Sequence, residues 1–281
     1  MAAERKWRIF TTLGDPGFEA FLTGHEPYTT VMSEKYRTGE VDRRLKKGGR
    51  FYRFGDTTAI YHGPGGFFYP FGVAPEAPVP EQLREQMGSF LKLYAVMGQR
   101  DDVLAFIRCF AGRPAITVDY FLLRHSSKVS AALPESPHPD ITVGTPSLSE
   151  WKRLLPLHLA YEAEEVLLPG RKVDPAMSKV TLTESLQTQE VLVAYYRGEA
   201  IGRVATNARG YRTDQIGGVY TAPAWRGRGL ARYLMSHMMR RLADEGRGTA
   251  LFVKPHNLAA LRLYEKLGYL FESDFRISYY R

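Results

Sequence analysis

The stretch "VYTAPAWRGRGLARYLMSHMMRRLADEG", from Val219 to Gly246, decides the fold. It begins like a strand, turns at Pro223, Gly227 and Gly229, and then places an apolar residue at every fourth position. Such a period is typical of one buried helix face. The members of that face are Leu230, Leu234, Met238 and Leu242. The stretch therefore predicts a strand, a glycine turn and an amphipathic helix in direct succession.

Glycine and arginine alternate where this helix begins. Glycine permits a turn at positive φ and lets a ligand approach the backbone. The first turn of a helix offers unpaired N–H groups at the positive end of its dipole, and Arg226 and Arg228 add cations there. These features predict an anion site, for which diphosphate is a common occupant. The alternative is a solvated turn with two surface arginines. An RGG-like nucleic-acid segment is excluded because the single unit runs straight into a helix.

Two further features favour the anion site. The strand ends at Thr221, so the site lies at the carboxyl edge of a sheet, where α/β proteins bind ligands. One strand later, "NLAALRLYEKLGY" begins with Asn257, a good helix cap, and carries Tyr264 seven residues on. Seven residues are nearly two helical turns, so both side chains lie on one face. Tyr264 alone would be read as a packing residue.

At this point the second half resembles the GNAT superfamily of N-acetyltransferases. "WRGRGLA" fits the R/Q-x-x-G-x-G/A acetyl-CoA motif of that family at Arg226, Gly229 and Ala231. "VYTAPAWRG" fits the preceding strand and turn, and the helix from Asn257 to Tyr264 fits the one that follows. The whole chain resembles bacterial tandem-GNAT proteins whose N-terminal copy is degenerate.

The resemblance implies acetyl-CoA as cosubstrate and acetyl transfer to an amine by direct attack on the thioester. Tyr264 would protonate the leaving thiolate, and a strand N–H would polarise the thioester carbonyl. The residues that would bind the cofactor are Val219, Tyr220, Thr221, Arg226, Gly227, Arg228, Gly229, Leu230, Ala231 and Asn257. No metal is expected.

The sequence does not single out one residue as the base that deprotonates the amine. The strand before the motif, "TDQIGGVYT", has Asp214 as its only acid. The "YEAEEV" segment supplies other carboxylates, and we favour Glu164 or Glu165, although a solvated helix end would look the same. Tyr161, His158 and Gln215 are candidate walls of an acceptor cleft, and their types do not distinguish an amino acid, a polyamine, an aminoglycoside or a peptide N-terminus.

A function of another class stays open: a GNAT fold that holds acyl-CoA as a sensor or scaffold without turnover. The missing strand glutamate favours it slightly, and Tyr264 argues against it. The net charge of +8 is dispersed over both halves, which does not suit a nucleic-acid partner.

The fold class predicted is α/β (α+β), with two tandem GNAT-like domains, each a mixed, mostly antiparallel twisted sheet flanked by helices. The proline-rich segment at 133–140 divides residues 1–132 from the catalytic residues 141–281, because the order β-α-α-β-β-β-α-β-α-β occurs in both. The first copy has "VAPEAPVP" where the glycine motif would stand, so it reads as a structural or acceptor-shaping half.

Composition is that of a globular protein, with 44% apolar and 24% charged residues. No apolar run approaches the length of about 18 residues needed to span a membrane, and we expect no membrane partner and no secretory signal. The single cysteine, Cys109, reads as a small buried apolar residue and indicates a reducing cytoplasm.

Overall fold

The computed structural model describes residues 7–10, 13–39, 49–73, 93–110, 112–125 and 133–280. The strands of the first half are β1 (Trp7–Phe10), β2 (Arg50–Phe54), β3 (Thr58–Gly63), β4 (Phe67–Phe71), β5 (Ala95–Gln99) and β6 (Ile116–His125). Its helices are α1 (Pro16–Gly24), α2 (Thr30–Arg37) and α3 (Arg100–Phe110). This is the predicted order β-α-α-β-β-β-α-β-α-β, except for its third helix. The sequence "PEQLREQMGSFLKL" predicts that helix over 80–93, between β4 and β5, and this prediction lies outside the described residues. Cys109 on α3 is half-buried rather than buried.

The second half repeats the pattern. Its strands are β7 (Ile141–Gly144), β8 (Val191–Tyr196), β9 (Glu199–Arg209), β10 (Thr213–Thr221), β11 (Gly248–Val253) and β12 (Leu270–Tyr279). Its helices are α4 (Trp151–Tyr161), α5 (Pro175–Thr188), α6 (Leu230–Asp244) and α7 (Leu258–Lys266). A π-helical turn, Glu162–Val166, follows α4 directly. The four predicted apolar residues of α6 are all buried, at 1% exposure or less.

The described strands of both halves form one sheet of twelve strands, in the order β1-β2-β3-β4-β5-β12-β6-β11-β10-β9-β8-β7. The last strand of each half is exchanged. Thus β12 pairs with β5 and β6, and β6 pairs with β11. The parallel pairs among these strands are β4–β5 and β10–β11, and the other neighbours are antiparallel. The mixed, mostly antiparallel fold is confirmed. The domain bounds stay a prediction, and the exchange means that the sheet is continuous across them.

A gap opens in this sheet between β10 and β11. The two strands pair only where Thr213–Ile216 face Gly248–Leu251. Beyond that point the register of β10 against β9 shifts between Gly217 and Tyr220, and Gly218 has a φ of 58°. The Gly-Gly pair in the sequence of this strand suggests a bulge, and the structure has one there. As a result, Gly217, Tyr220 and Thr221 stay paired with β9, and the edge of residues 217–221 that faces β11 is not paired with that strand.

The two faces of the sheet differ near this gap. Strand residues alternate between faces. Leu251 and Val253 of β11 join the core that α6 and α7 cover, whereas Ala250 and Phe252 belong to a second cluster. None of the helices in the described part of the chain is long and apolar enough to cross a bilayer.

Candidate functional site

A cleft of about 1110 Å³ lies at the gap between β10 and β11. It is lined from the second half by β10, the glycine turn, the start of α6 and α7, and from the first half by α2, β4, β5 and β6. Of the predicted cofactor-binding residues, Arg228 alone does not line it. The residues that do are Val219, Tyr220, Thr221, Arg226, Gly227, Gly229, Leu230, Ala231 and Asn257.

The glycine turn is open toward the cleft. Gly227 and Gly229 have φ angles of 74° and 84°, a conformation that L-residues with side chains adopt only with strain. A Cβ atom built on either glycine meets no heavy atom within 4 Å. Gly229 caps α6, which begins at Leu230, so the first amides of the helix face this open space. The backbone here thus forms a cradle for an anion.

The neighbouring part of β10 fits an extended ligand such as the pantetheine arm of coenzyme A. Residues 217–221 carry main-chain groups that β11 does not satisfy. The Thr221 hydroxyl is buried and has no hydrogen-bond partner among the described residues. An unpaired strand edge and an orphaned hydroxyl are costly unless a ligand or water pairs with them. The residues present therefore fit the cofactor that the glycine motif implies.

Arg226 is held at the rim of this cleft by Glu164. Its Nη2 lies 2.6 Å from Glu164 Oε2 and 3.2 Å from the Tyr220 hydroxyl, and its Nε donates to the Thr221 carbonyl at 3.1 Å. Tyr220 also donates to Glu164 at 2.6 Å. The hydrogen bonds from Tyr220 and Arg226 hold the pKa of Glu164 below its usual range. Glu164 is thus a stable anion, which weakens it as a base.

Arg228 points elsewhere. Its guanidinium carbon lies 5.1 Å from the centre of the Trp225 ring, a cation–π geometry. It is exposed beside the turn and makes no part of the cleft wall. Its role in holding a phosphate therefore stays a prediction.

Tyr264 lies inside the cleft, on α7. Its side chain is 7% exposed, and burial, together with the nearby Glu165 and Tyr161, raises its pKa well above the ordinary value. The phenol therefore keeps its proton at every working pH. Asn257 caps α7 as predicted, and its Oδ1 accepts the Ala260 N–H at 3.1 Å.

Glu165 is the other predicted carboxylate, and it lines the cleft as well. Its Oε2 lies 3.8 Å from Lys254 Nζ, which also donates to the Glu165 carbonyl at 2.9 Å. Asp214, the strand acid, is fully buried and ion-paired with Arg247 at 2.5 Å. Asp214 therefore holds structure and has no route to a ligand.

The structure brings two of the three predicted acceptor-side residues into the cleft and leaves out the third. Tyr161 and Gln215 line the cleft, whereas His158 is buried beneath it. Its Nδ1 lies 2.6 Å from Nη1 of Arg203, and burial lowers the pKa of His158 to about 4, so the ring is neutral. Its Nε2 faces Glu162 Oε1 at 3.1 Å.

Sequence reasoning missed Arg203. Its side chain is 5% exposed, its Nε has no partner among the described residues, and its guanidinium lies 5.7 Å from the Tyr161 ring centre. Arg203 could have been identified from the sequence, because a cation in the middle of a strand, between apolar residues, indicates a buried charge.

Within the described residues, the corresponding parallel pair of the first half shows no comparable cradle. The Pro70 carbonyl lies 2.8 Å from where a Cβ on Gly98 would stand, so β4 and β5 stay close where β10 and β11 separate. Just after β4, the Val73 N–H donates to Asp102 Oδ1 of α3 at 2.7 Å. Burial raises the pKa of Asp102 to about 6. Within the described residues, no group of three or more His, Cys, Asp or Glu could hold a metal ion.

Comparison with known proteins agrees with this geometry. Residues 157–269 match the model of the acetyltransferase (GNAT) family. The β10 edge, the glycine turn and Tyr264 all fall within that range, and this part of the chain is a GNAT acetyltransferase domain.

Solved structures extend the likeness of the fold to nearly the whole chain. A Drosophila protein is 14% identical, with 98% of this chain and 99% of that chain covered at a TM-score of 0.67. A GNAT-family acetyltransferase from Colwellia psychrerythraea is 12% identical, with 98% and 100% covered at 0.53. A GCN5-related N-acetyltransferase from Sphaerobacter thermophilus is 15% identical, with 96% and 94% covered at 0.54. No curated protein matches the sequence.

Proposed function

We propose that this protein is an acetyl-CoA-dependent N-acetyltransferase of the cytoplasm that acts on a primary amine of a small molecule or a protein. The observation that carries the proposal is the continuous path along the gap. An unpaired strand edge at residues 217–221 leads into the open glycine turn at one end, and Tyr264 lies inside the same cleft. An anion cradle, an extended groove and a proton donor in one cleft suit the transfer of an acyl group from coenzyme A.

The cradle and the strand edge are the parts that would hold acetyl-CoA. The amides of Gly227 to Ala231 suit the pyrophosphate, because they lie at the positive end of α6. The free edge of Val219–Thr221 suits the pantetheine amides, which would pair with it as an added strand. Acetyl-CoA, when bound, supplies an acetyl group activated as a thioester.

Two groups of the protein then act on the reacting atoms. A backbone N–H on the free edge of β10 donates to the thioester carbonyl oxygen and stabilises the negative charge that develops there. Tyr264 donates its proton to the departing sulfur. Burial keeps the phenol protonated, so the proton is present when the sulfur departs, but the raised pKa also makes the phenol a weaker acid than a thiol, whose ordinary pKa is about 8.5. The transfer is therefore driven by the negative charge that develops on the sulfur as the carbon–sulfur bond breaks.

The amine must lose a proton before it attacks. An ordinary alkylammonium with a pKa of about 10.4 is less than about 0.1% neutral at pH 7, so a base is needed. We assign this role to Glu165, because its Oε2 lies 3.8 Å from Lys254 Nζ, whereas Glu164 is held at 2.6 Å by both Arg226 and Tyr220. Asp214 is buried in an ion pair with Arg247. No histidine is among the described residues that line the cleft.

The experiment is a product search. The purified protein is incubated with acetyl-CoA and a panel of amines, and mass spectrometry looks for a gain of one acetyl group on the amine with release of free thiol. The proposal expects at least one acetylated product whose formation depends on the protein. Tight acetyl-CoA binding with no product from any amine would overturn it and leave a non-catalytic acyl-CoA-binding protein.

A further inference from the structure

The cleft continues on the face of the sheet away from α6 and α7 as an apolar chamber. On that face β12 places Phe275 opposite Tyr120 of β6 and Ile277 opposite Met97 of β5. Phe252 of β11 packs against Phe275, with ring centres 3.9 Å apart. All five side chains line the cleft, so its floor on this side consists of rings and aliphatic groups. We call this space the aromatic chamber.

The first half closes the aromatic chamber from above. Tyr28, Met32 and Tyr69 line it, and the Tyr28 hydroxyl donates to Glu272 at 2.7 Å. That bond fixes the Tyr28 ring as a wall, because the Glu272 carboxylate is itself anchored to Arg124 at 3.0 Å. The chamber therefore exists only where the two halves meet.

The charged groups at the chamber already have partners. Glu34 is 7% exposed, and its Oε1 accepts from Gln189 at 2.8 Å and from the Arg209 N–H at 2.9 Å. Glu165 faces Lys254. A second ammonium on the ligand would meet no unpaired carboxylate among the described residues that line the cleft, and it would lose its hydration on entry. The apolar walls favour a ligand group without polar atoms.

The aromatic chamber and the proposed cofactor groove lie on different faces of the sheet. The glycine turn and α7 belong to the opposite face, where Leu251 and Val253 pack, and the gap between β10 and β11 connects the two faces. A two-carbon acetyl group is far too small to need a chamber of this kind. The group bound there therefore belongs to the molecule that meets the thioester from the other side.

We infer that the acceptor is a primary amine carried on an alkyl or aryl group, and that this apolar group binds in the aromatic chamber while the nitrogen points to the gap beside Glu165 and Tyr264. That the amine accepts an acetyl group rests on the proposed function. The chamber's preference for apolar amines can be tested without any turnover.

The test is calorimetry with a homologous series of ethylamine, butylamine and hexylamine, plus phenethylamine, on the protein alone and saturated with free CoA. Each added methylene that leaves water should tighten binding by about fourfold. Ethanolamine and 1,4-diaminobutane, of similar size but polar at the far end, should bind no better than ethylamine. Affinities that do not rise with chain length, or that favour the polar amines, would overturn the inference.

A substitution in the aromatic chamber tests whether the amines bind there. Met97→Trp fills the chamber and should weaken hexylamine at least tenfold, whereas Met177→Trp, on the exposed face of α5, should not change it. The CoA affinity of both variants reports their folding. The chain-length series in the wild type tests the chamber even where Met97→Trp does not fold.

The two hypotheses fail separately. A chain-length dependence without acetylated product would keep the chamber and remove the enzyme. Acetylation of polar amines without a chain-length dependence would keep the enzyme and remove the chamber preference.

Discussion

Removing the Tyr264 hydroxyl is the sharpest test of the chemistry. Tyr264→Phe keeps the ring that packs at 5.8 Å from Tyr269 and removes only the proton donor. Among the described residues the hydroxyl has no hydrogen-bond partner, so the free energy of unfolding should change by less than about 1 kcal/mol. A lost general acid lowers kcat by roughly 10²- to 10⁴-fold, which corresponds to about 3–5 kcal/mol of transition-state stabilisation.

Thiol release under saturating acetyl-CoA and amine measures this effect. The KM for acetyl-CoA should stay within about threefold, since the phenol acts on the departing sulfur and not on the phosphates. The defect should shrink above a pH of about 8.5, where a thiolate leaves without needing a proton.

Tyr269→Phe is the matched control. Tyr269 is as buried as Tyr264, at 4% exposure, and its hydroxyl lies 2.8 Å from Thr249 Oγ1. That substitution should cost about 1 kcal/mol of stability and leave kcat unchanged. An unaltered kcat in Tyr264→Phe, or equal losses in both variants, would refute the role of Tyr264 as acid.

Three other perturbations have definite signs. Because burial raises the pKa of Asp102 to about 6, its contribution to stability is complete below a pH of about 4 and is lost as the pH rises through 6. Asp102→Asn still accepts the Val73 N–H, and it should be more stable than the wild type at pH 8 by at most about 3 kcal/mol and at pH 5 by about half of that, as measured by urea unfolding. Glu26 accepts the N–H groups of Tyr211–Thr213 at 2.7–2.8 Å, so Glu26→Ala should lower the free energy of unfolding in urea by roughly 2 kcal/mol or more, and an unchanged value would show that water replaces the carboxylate. Glu165→Gln should reduce kcat/KM most at neutral pH and recover toward the amine pKa of about 10.4, and a pH-independent loss would contradict its role as base.

The local chemistry of the cofactor end could be predicted from sequence because it depends on neighbours in the chain. Glycines at Gly227 and Gly229 and the four-residue period of α6 act within one strand–turn–helix unit, and the structure contains that unit. The Asn257 cap is local in the same way.

The strand exchange was not predictable in this way. Alternation along β6 and β12 indicates strands, but period two carries no information on which strand lies next to which. The repeat suggested a separate sheet for each half, whereas β12 lies between β5 and β6. The aromatic chamber depends on this arrangement, since Tyr120 and Phe275 face each other only through the exchanged pair.

The side-chain pairs around the cleft could not be predicted from the sequence either. Arg226 and Glu164 are 62 residues apart, and their ion pair turns a predicted base into an anion held by a cation. His158 suited a cleft wall by residue type, but it is buried against Arg203, a partner 45 positions away. Such contacts depend on the packing of α4 over β9, which residue types alone do not specify.

The central claim is that the glycine turn at the start of α6 binds acetyl-CoA, and calorimetry tests it most directly. Gly229→Glu adds a carboxylate where the pyrophosphate would lie, and Gly246→Glu makes the same change at the other end of the helix. Both positions have positive φ, at 84° and 71°, and both have open space around a Cβ atom, so the backbone strain is matched. We predict micromolar binding of acetyl-CoA to the wild type and to Gly246→Glu, and a loss of at least about 100-fold in Gly229→Glu. No binding to the wild type, or equal binding to all three proteins, would contradict the account.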